Sequence, residues 1–274
     1  MTGIRKPAVS GYFYPAEKNE LLRMIQNFVQ PVREKEKAIA IVCPHAGYIY
    51  SGKTAGIVYS KITPPDTAVI LGPNHHGYGE PYAVEKTGRW LTPLGTVEID
   101  TELAELLLKH RYLEEDSIAH RPEHSVEVQV PFLQYLNPKI KIVPVVLSGP
   151  LMSPAWYDIG NAIGEAIIEY GKNTLIVASS DFTHYETREQ AESKDRYAIE
   201  AILALDENRF AERVEERNIT ACGYAPIIAA IVGSRRLGAK SARLLDYRTS
   251  GDVSGDYDQV VGYAGIIMGS TLDT

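Results

Sequence analysis

The chain has 274 residues, 45% of them hydrophobic, and a formal net charge of -7 at pH 7. That is enough apolar material for one sizeable core, so a single domain over residues 1–274 is expected. The acidic balance, with no Lys/Arg stripe, excludes an electrostatic nucleic-acid footprint, and without a run of about 18 apolar residues no membrane span is predicted. Two cysteines, Cys43 and Cys222, are too few for a disulfide framework. With no apolar leader after the first charges, a cytoplasmic protein is expected. The 17 tyrosines against 5 phenylalanines suit a polar cleft or an interface.

In chain order, a turn around Pro15 leads to a helical pattern with Leu21, Leu22, Ile25, Phe28 and Val29 on one side. The apolar run AIAIVCPHAG reads as a buried strand that delivers His45. A tight turn and a short helix follow in AGYIYSGKTAGIVYSKI, whose small residues suggest close packing on a sheet. TAVILGPNHHG is a second buried strand, ending at His75 and His76. A loop then runs to a strand at TVEI and an amphipathic helix at TELAELLLKH. HSVEVQVPFLQYL is ambiguous, and a helix kinked at Pro131 is favoured. KIKIVPVVLS is a strand, Ser153 to Tyr170 a helix, and TLIVASSDFTH a third buried strand, delivering Asp181 and His184. Helices over about 187–205 and ending near Asn218 precede a glycine-bearing turn at Cys222 and an apolar helix that stops at Gly238. SARLLDYRTS and QVVGYAGIIMG close the chain as strands. This alternation predicts an α/β fold: a layered, mostly parallel central sheet flanked by helices.

In such sheets ligands bind beyond the carboxyl ends of the strands, where these polar clusters would share one rim. Imidazole is a frequent ligand for transition metals, and His45 and His75 at adjacent strand ends could face one ion, although either could simply bond a neighbouring loop. Cys222 is the third ligand candidate; a helix N-terminus would lower its thiol pKa, and the alternative is a small buried hydrophobe. His76, His124, Asp181 and His184 are candidates for acid/base or orienting roles, with Asp181 accepting the second N–H of a ligating histidine. Otherwise, SSDFTH reads as a helix cap and EHSVE as a capping segment with Glu127 in solvent. There is no GxSxG elbow, Walker A loop or GxGxxG turn, while a Cys222-based hydrolase triad stays open.

Together, PHAGYIYSG, GPNHHG, EHSVEVQVPFL, SSDFTHY, ACGYAP and GDYDQVVGYAG resemble the Memo family, the B protein of the AmmeMemoRadiSam system. The resemblance implies a fold similar to LigB-type class III extradiol dioxygenases. It also implies metal ligands at His45, His75 and Cys222, with Asp181, His184 and His124 as neighbouring active-site residues. Cofactors implied are Fe(II) or Cu, with Zn as a further option, and the function implied is metal-centred redox chemistry on a small organic substrate. A cysteine in place of the facial-triad carboxylate argues against catechol ring cleavage. A functional link to a radical SAM protein and an AMMECR1-like protein, and a peptide ligand, are further implications.

Overall fold

The computed structural model describes residues 3–270. Four apolar runs form its centre: Lys141–Leu147, Thr67–Pro73, Thr174–Ser179 and Ala40–Cys43 lie side by side in that order, all parallel. Their residues are almost all buried, which is why these runs show no polar alternation. The long strand Val260–Gly269 continues the sheet antiparallel to Ala40–Cys43 and pairs in turn with Ser241–Thr249. On the opposite side, Gly95–Ile99 and Tyr82–Val84 both pair with Lys141–Leu147.

Successive residues of each central strand enter different cores. Ala40 and Val42, Val69 and Leu71, and Ile176 and Ala178 face one; Ile41 and Cys43, Ala68 and Ile70, and Leu175 and Val177 face the other. The first core is closed by helices Thr101–Leu107, Ala155–Tyr170, Arg188–Leu203, Glu207–Glu216 and Tyr224–Arg236, the second by Lys18–Phe28, Tyr48–Lys61 and Val130–Leu136. Each apolar strand face needs its own cover, and the result is a three-layer α/β/α stack.

The structure departs from the sequence reading in three places. The segment read as a loop before TVEI carries two further strands, Tyr82–Val84 and Arg89–Thr92, the latter forming a hairpin with Gly95–Ile99. They are short and lack a long periodic pattern. Pro131 does not kink a helix: a 3₁₀ turn at Glu127–Gln129 comes first, and Pro131 lies in the first turn of Val130–Leu136, where its missing N–H costs nothing. In the helix Tyr48–Lys61, Gly52 and Gly56 pack on Phe28 of the N-terminal helix, whereas Thr54 and Val58 meet the sheet at Gly265.

No helix among the described residues is long and apolar enough to cross a membrane.

Candidate metal centre

Because Thr67–Pro73 and Ala40–Cys43 flank Thr174–Ser179 in parallel, their carboxyl ends open on the same edge of the sheet. The Ser180 N–H donates to the Cys43 carbonyl (2.9 Å), and the His45 N–H donates to Asp181 Oδ1 (2.7 Å). These bonds bring the first and third polar clusters together. Cys222 arrives from the turn before Tyr224–Arg236: its N–H donates to the Asp181 carbonyl (3.3 Å), and the Gly223 N–H donates to Ser180 Oγ (3.0 Å). A Cβ at Gly223 would overlap the Ser179 carbonyl and Ser180, so a glycine there lets the turn seat against the strand end. Gly72 does the same for the second cluster: a Cβ there would overlap Ser125 Oγ, and its absence lets the Glu123–Ser125 loop lie against the strand that carries His75.

One donor atom each from His45, His75 and Cys222 lies within 4.8 Å of the others. Cys222 Sγ is 3.1 Å from His45 Nε2, and the His45 and His75 rings meet edge to face at 5.2 Å between centroids. Metal bonds of about 2.0–2.1 Å to nitrogen and about 2.3 Å to sulfur separate a nitrogen from a sulfur ligand by about 3.1 to 3.6 Å at angles from about 90° to 109°. The spacing of His45 Nε2 and Cys222 Sγ falls within that interval, and the His75 donor lies within 4.8 Å of both, so the pair fits a transition-metal ion with His75 in reach as a third ligand. The nitrogen/nitrogen/sulfur set suits Fe, Cu or Zn and not Mg or Ca.

Each imidazole is also held from behind. His75 Nδ1 lies 2.9 Å from Glu123 Oε1, while the His75 main-chain N–H donates to Glu123 Oε2 (2.7 Å). His45 Nδ1 lies 3.0 Å from Ser179 Oγ. Fixing the second nitrogen orients the first toward a ligand. The sequence reading gave the orienting role to Asp181, but its carboxylate accepts the His45 main-chain N–H and holds the backbone rather than the ring. Ser179, Glu123 and Gln129 lie inside SSDFTHY and EHSVEVQVPFL, but the sequence assigned them no role, because their contacts arise only when a strand end and a distant loop converge.

The electrostatics follow from burial. Desolvation holds the His45 imidazole well below its usual range, helped by the nearby His124 and His75 charges. Desolvation also lowers His124 to about 4. Burial alone would raise Glu123, but the hydrogen bond from His75 and the charges of His75 and His124 hold its carboxyl far below the carboxylate range. Asp181 is raised to about 6, chiefly by burial, against the pull of the His45 N–H and the His184 charge. The Cys222 thiol is pushed up, by burial first and Asp181 second, contrary to the lowering expected from a helix N-terminus. The helix starts only at Tyr224, and the half-buried sulfur lies 3.6 Å from the Asp181 main-chain carbonyl, where the charge of Asp181 disfavours a thiolate. Such a sulfur is a poor nucleophile without a metal, and Asp181 does not touch the His45 ring, which together disfavour the hydrolase triad.

Of the other candidates, His124 stacks on His75 at 4.5 Å and 20°, and Phe13 covers its far side at 4.8 Å. His184 is half-buried, with Nδ1 3.0 Å from the Thr220 carbonyl, and its charge acts on both Asp181 and His45. The next residue, Tyr185, is exposed and takes a left-handed conformation (φ 60°), rare for a non-glycine. His76 is exposed, stacks on Tyr78 and is not among the converging ligands. Glu127, read as a solvated residue of a capping segment, is buried and ties the N-terminal segment to this loop: it accepts from Arg5 Nη1 (2.6 Å), Tyr14 Oη (2.6 Å) and the N–H groups of Ala8 (2.7 Å) and Val9 (3.1 Å).

The family model described as Memo-like protein matches residues 5–267. The chain belongs to the Memo family. It is 46% identical to a MEMO1 family protein of Pyrobaculum arsenaticum and 47% identical to one of Archaeoglobus fulgidus, each alignment covering 97% of this chain and 99% of the relative. A MEMO1 family protein of Methanosarcina mazei is 46% identical with the same coverage. Among solved structures, an uncharacterized Escherichia coli K12 protein, JW3007, superposes with a TM-score of 0.51 at 12% identity, over 83% of this chain and 98% of that one, which shows a shared fold. Membership in the Memo family thus rests on nearly the whole chain, and the converging His, His and Cys lie inside the matched region.

Proposed function

We propose that this Memo-family chain is a non-haem metal protein whose Fe(II) or Cu is held by His45 Nε2, His75 Nε2 and Cys222 Sγ and serves redox chemistry on a small organic substrate. The convergence of those three donor atoms within 4.8 Å carries the reading. It is supported by two imidazoles each backed at Nδ1 and by a half-buried sulfur, where a metal cation would favour the thiolate. When bound, iron or copper supplies one-electron exchange and a Lewis acid. The chain's own residues do the rest. Ser179 and Glu123 orient the ligating rings, Asp181 holds the His45 backbone, and His184 and His124 at the rim are the groups able to move a proton to or from a substrate. His124 is held neutral near pH 7 and would act first as an acceptor.

The same donor set also suits zinc, which would make the site a hydrolytic one in which water is activated. Anaerobic purification with metal analysis separates the readings. Stoichiometric iron or copper supports the redox proposal. Zinc with activity that persists without oxygen replaces it with hydrolysis, and a metal-free protein that takes up no Fe(II), Cu or Zn leaves a pocket for a peptide or other partner instead. The functional link to radical SAM and AMMECR1-like proteins is part of the proposal and is tested by co-purification with those proteins.

A further inference from the structure

Resting on that reading of the metal centre, we infer that Ser179 is a positioning residue that locks His45 in the tautomer carrying its proton on Nδ1, leaving the Nε2 lone pair aimed at the Cys222 sulfur.

Hydrogens along a buried chain of groups decide which ring nitrogen of His45 is the donor. The Pro44 carbonyl can only accept, so the end of the Gln129 amide 2.9 Å from it is the nitrogen, and Tyr59 Oη, fully buried, donates to Gln129 Oε1 (2.9 Å) at the other end. Gln129 Nε2 then spends its two hydrogens on the Pro44 carbonyl (2.9 Å) and on Ser179 Oγ (2.9 Å). The Ser179 hydroxyl has one hydrogen, and it lies 2.6 Å from the Ser125 carbonyl, a group that can only accept. That bond uses it. Toward His45 Nδ1, at 3.0 Å, the hydroxyl has only a lone pair to offer, so Nδ1 must be the donor. In the neutral ring Nε2 is then the nitrogen without a hydrogen, and it is the one that stands 3.1 Å from Cys222 Sγ. Tyr59, Gln129, Ser179, Ser125 and His45 are all buried, so water does not offer Nδ1 an alternative partner. The reverse tautomer would set an Nε2 hydrogen against the position a metal ion would occupy, and would leave Nδ1 facing an oxygen with no hydrogen to give.

The two ligating rings are therefore backed by different chemistry. His75 leans on an ionised carboxylate and His45 on a neutral hydroxyl, so the weaker support at His45 makes its tautomer the one sensitive to a single side chain.

The test reads the tautomer directly. Long-range proton–nitrogen NMR on metal-free protein labelled with ¹⁵N-histidine, with His45 assigned by its loss in His45→Gln, reports which ring nitrogen carries the proton. The expected result is a protonated Nδ1 in the wild-type chain; a protonated Nε2 overturns the inference without any variant having to fold. In Ser179→Ala the Nε2-protonated form should appear, and Co(II) affinity, measured by titrating the metal alone under anaerobic conditions, should fall about 10- to 100-fold. An unchanged His45 tautomer together with an unchanged Co(II) affinity in Ser179→Ala overturns it as well. If the wild-type chain binds no Co(II), the proposed metal function fails, while the NMR result still decides the tautomer by itself.

Discussion

Replacing Glu127 with alanine probes the clamp that holds the N-terminal segment against the metal centre. Its carboxylate, 1% exposed, pairs with the Arg5 guanidinium, itself 9% exposed and lying 4.0 Å over the Trp90 ring, and also accepts from Tyr14 and from the main-chain N–H groups of Ala8 and Val9. Removing one member of a buried ion pair costs about 3–5 kcal/mol, because the other charge is left without a partner. The Tyr14 hydroxyl also loses its acceptor, whereas the N–H groups of Ala8 and Val9 can regain water. We therefore expect a loss of about 4–5 kcal/mol, a large fraction of the roughly 5–15 kcal/mol of a typical domain. Urea unfolding at pH 7, followed by circular dichroism, measures it. The same variant should be nicked by protease within the Ala8–Tyr14 stretch, since Phe13 loses its seat on His124. The double replacement Arg5→Met with Glu127→Met should recover much of the loss, because neither charge is then stranded. A single-variant loss below about 1 kcal/mol, with Ala8–Tyr14 still protected, would refute the clamp.

Three further outcomes follow from the geometry. Gly72→Ala places a methyl on Ser125 and Val126, so it should destabilise by about 1–3 kcal/mol and weaken metal binding by displacing the loop that carries Glu123; isothermal titration with Zn(II) that matches wild type would remove Gly72 from the account. Glu85 is raised to about 7, chiefly by burial and against the hydrogen bond from Trp90. The folded chain thus binds more protons at this group than the unfolded chain does, so its contribution is fully present below about pH 4.5, declines as pH rises, and is lost through pH 7. Glu85→Gln, which still accepts from Trp90, should flatten that dependence and melt higher than wild type at pH 8; an unaltered slope of melting temperature between pH 5 and 8 would contradict it. His184→Ala should keep stoichiometric metal while losing turnover once a substrate is found; loss of metal in that variant would make His184 part of the ligand set.

The parts of this molecule legible in the sequence were those that burial writes plainly. The runs around Ile41, Ile70 and Val177 are apolar at every position because both faces of the central sheet are covered, and that same fact puts His45, His75 and Asp181 on one edge. What the sequence hid was how these groups are supported. Glu123 and Glu127 look like surface charges in a capping segment, yet both are almost fully buried, and only the fold shows Arg5 and the His75 ring waiting for them. Ser179 sits among other small polar residues, and nothing in that string separates the hydroxyl that meets His45 from the neighbouring Ser180, which meets Gly223. Asp181 lies beside His45, but its reach is set by the turn after the strand, which delivers it to a main-chain N–H and not to an imidazole.

Anaerobic Co(II) titration of the metal-free chain, read by the near-ultraviolet and visible spectrum, decides whether His45, His75 and Cys222 together bind one metal ion. One equivalent should bind, with a near-ultraviolet sulfur-to-cobalt charge-transfer band that disappears in Cys222→Ser, and binding should be weak or absent in His45→Ala at unchanged far-UV circular dichroism. Stoichiometric, tight Co(II) binding retained in both variants would contradict it.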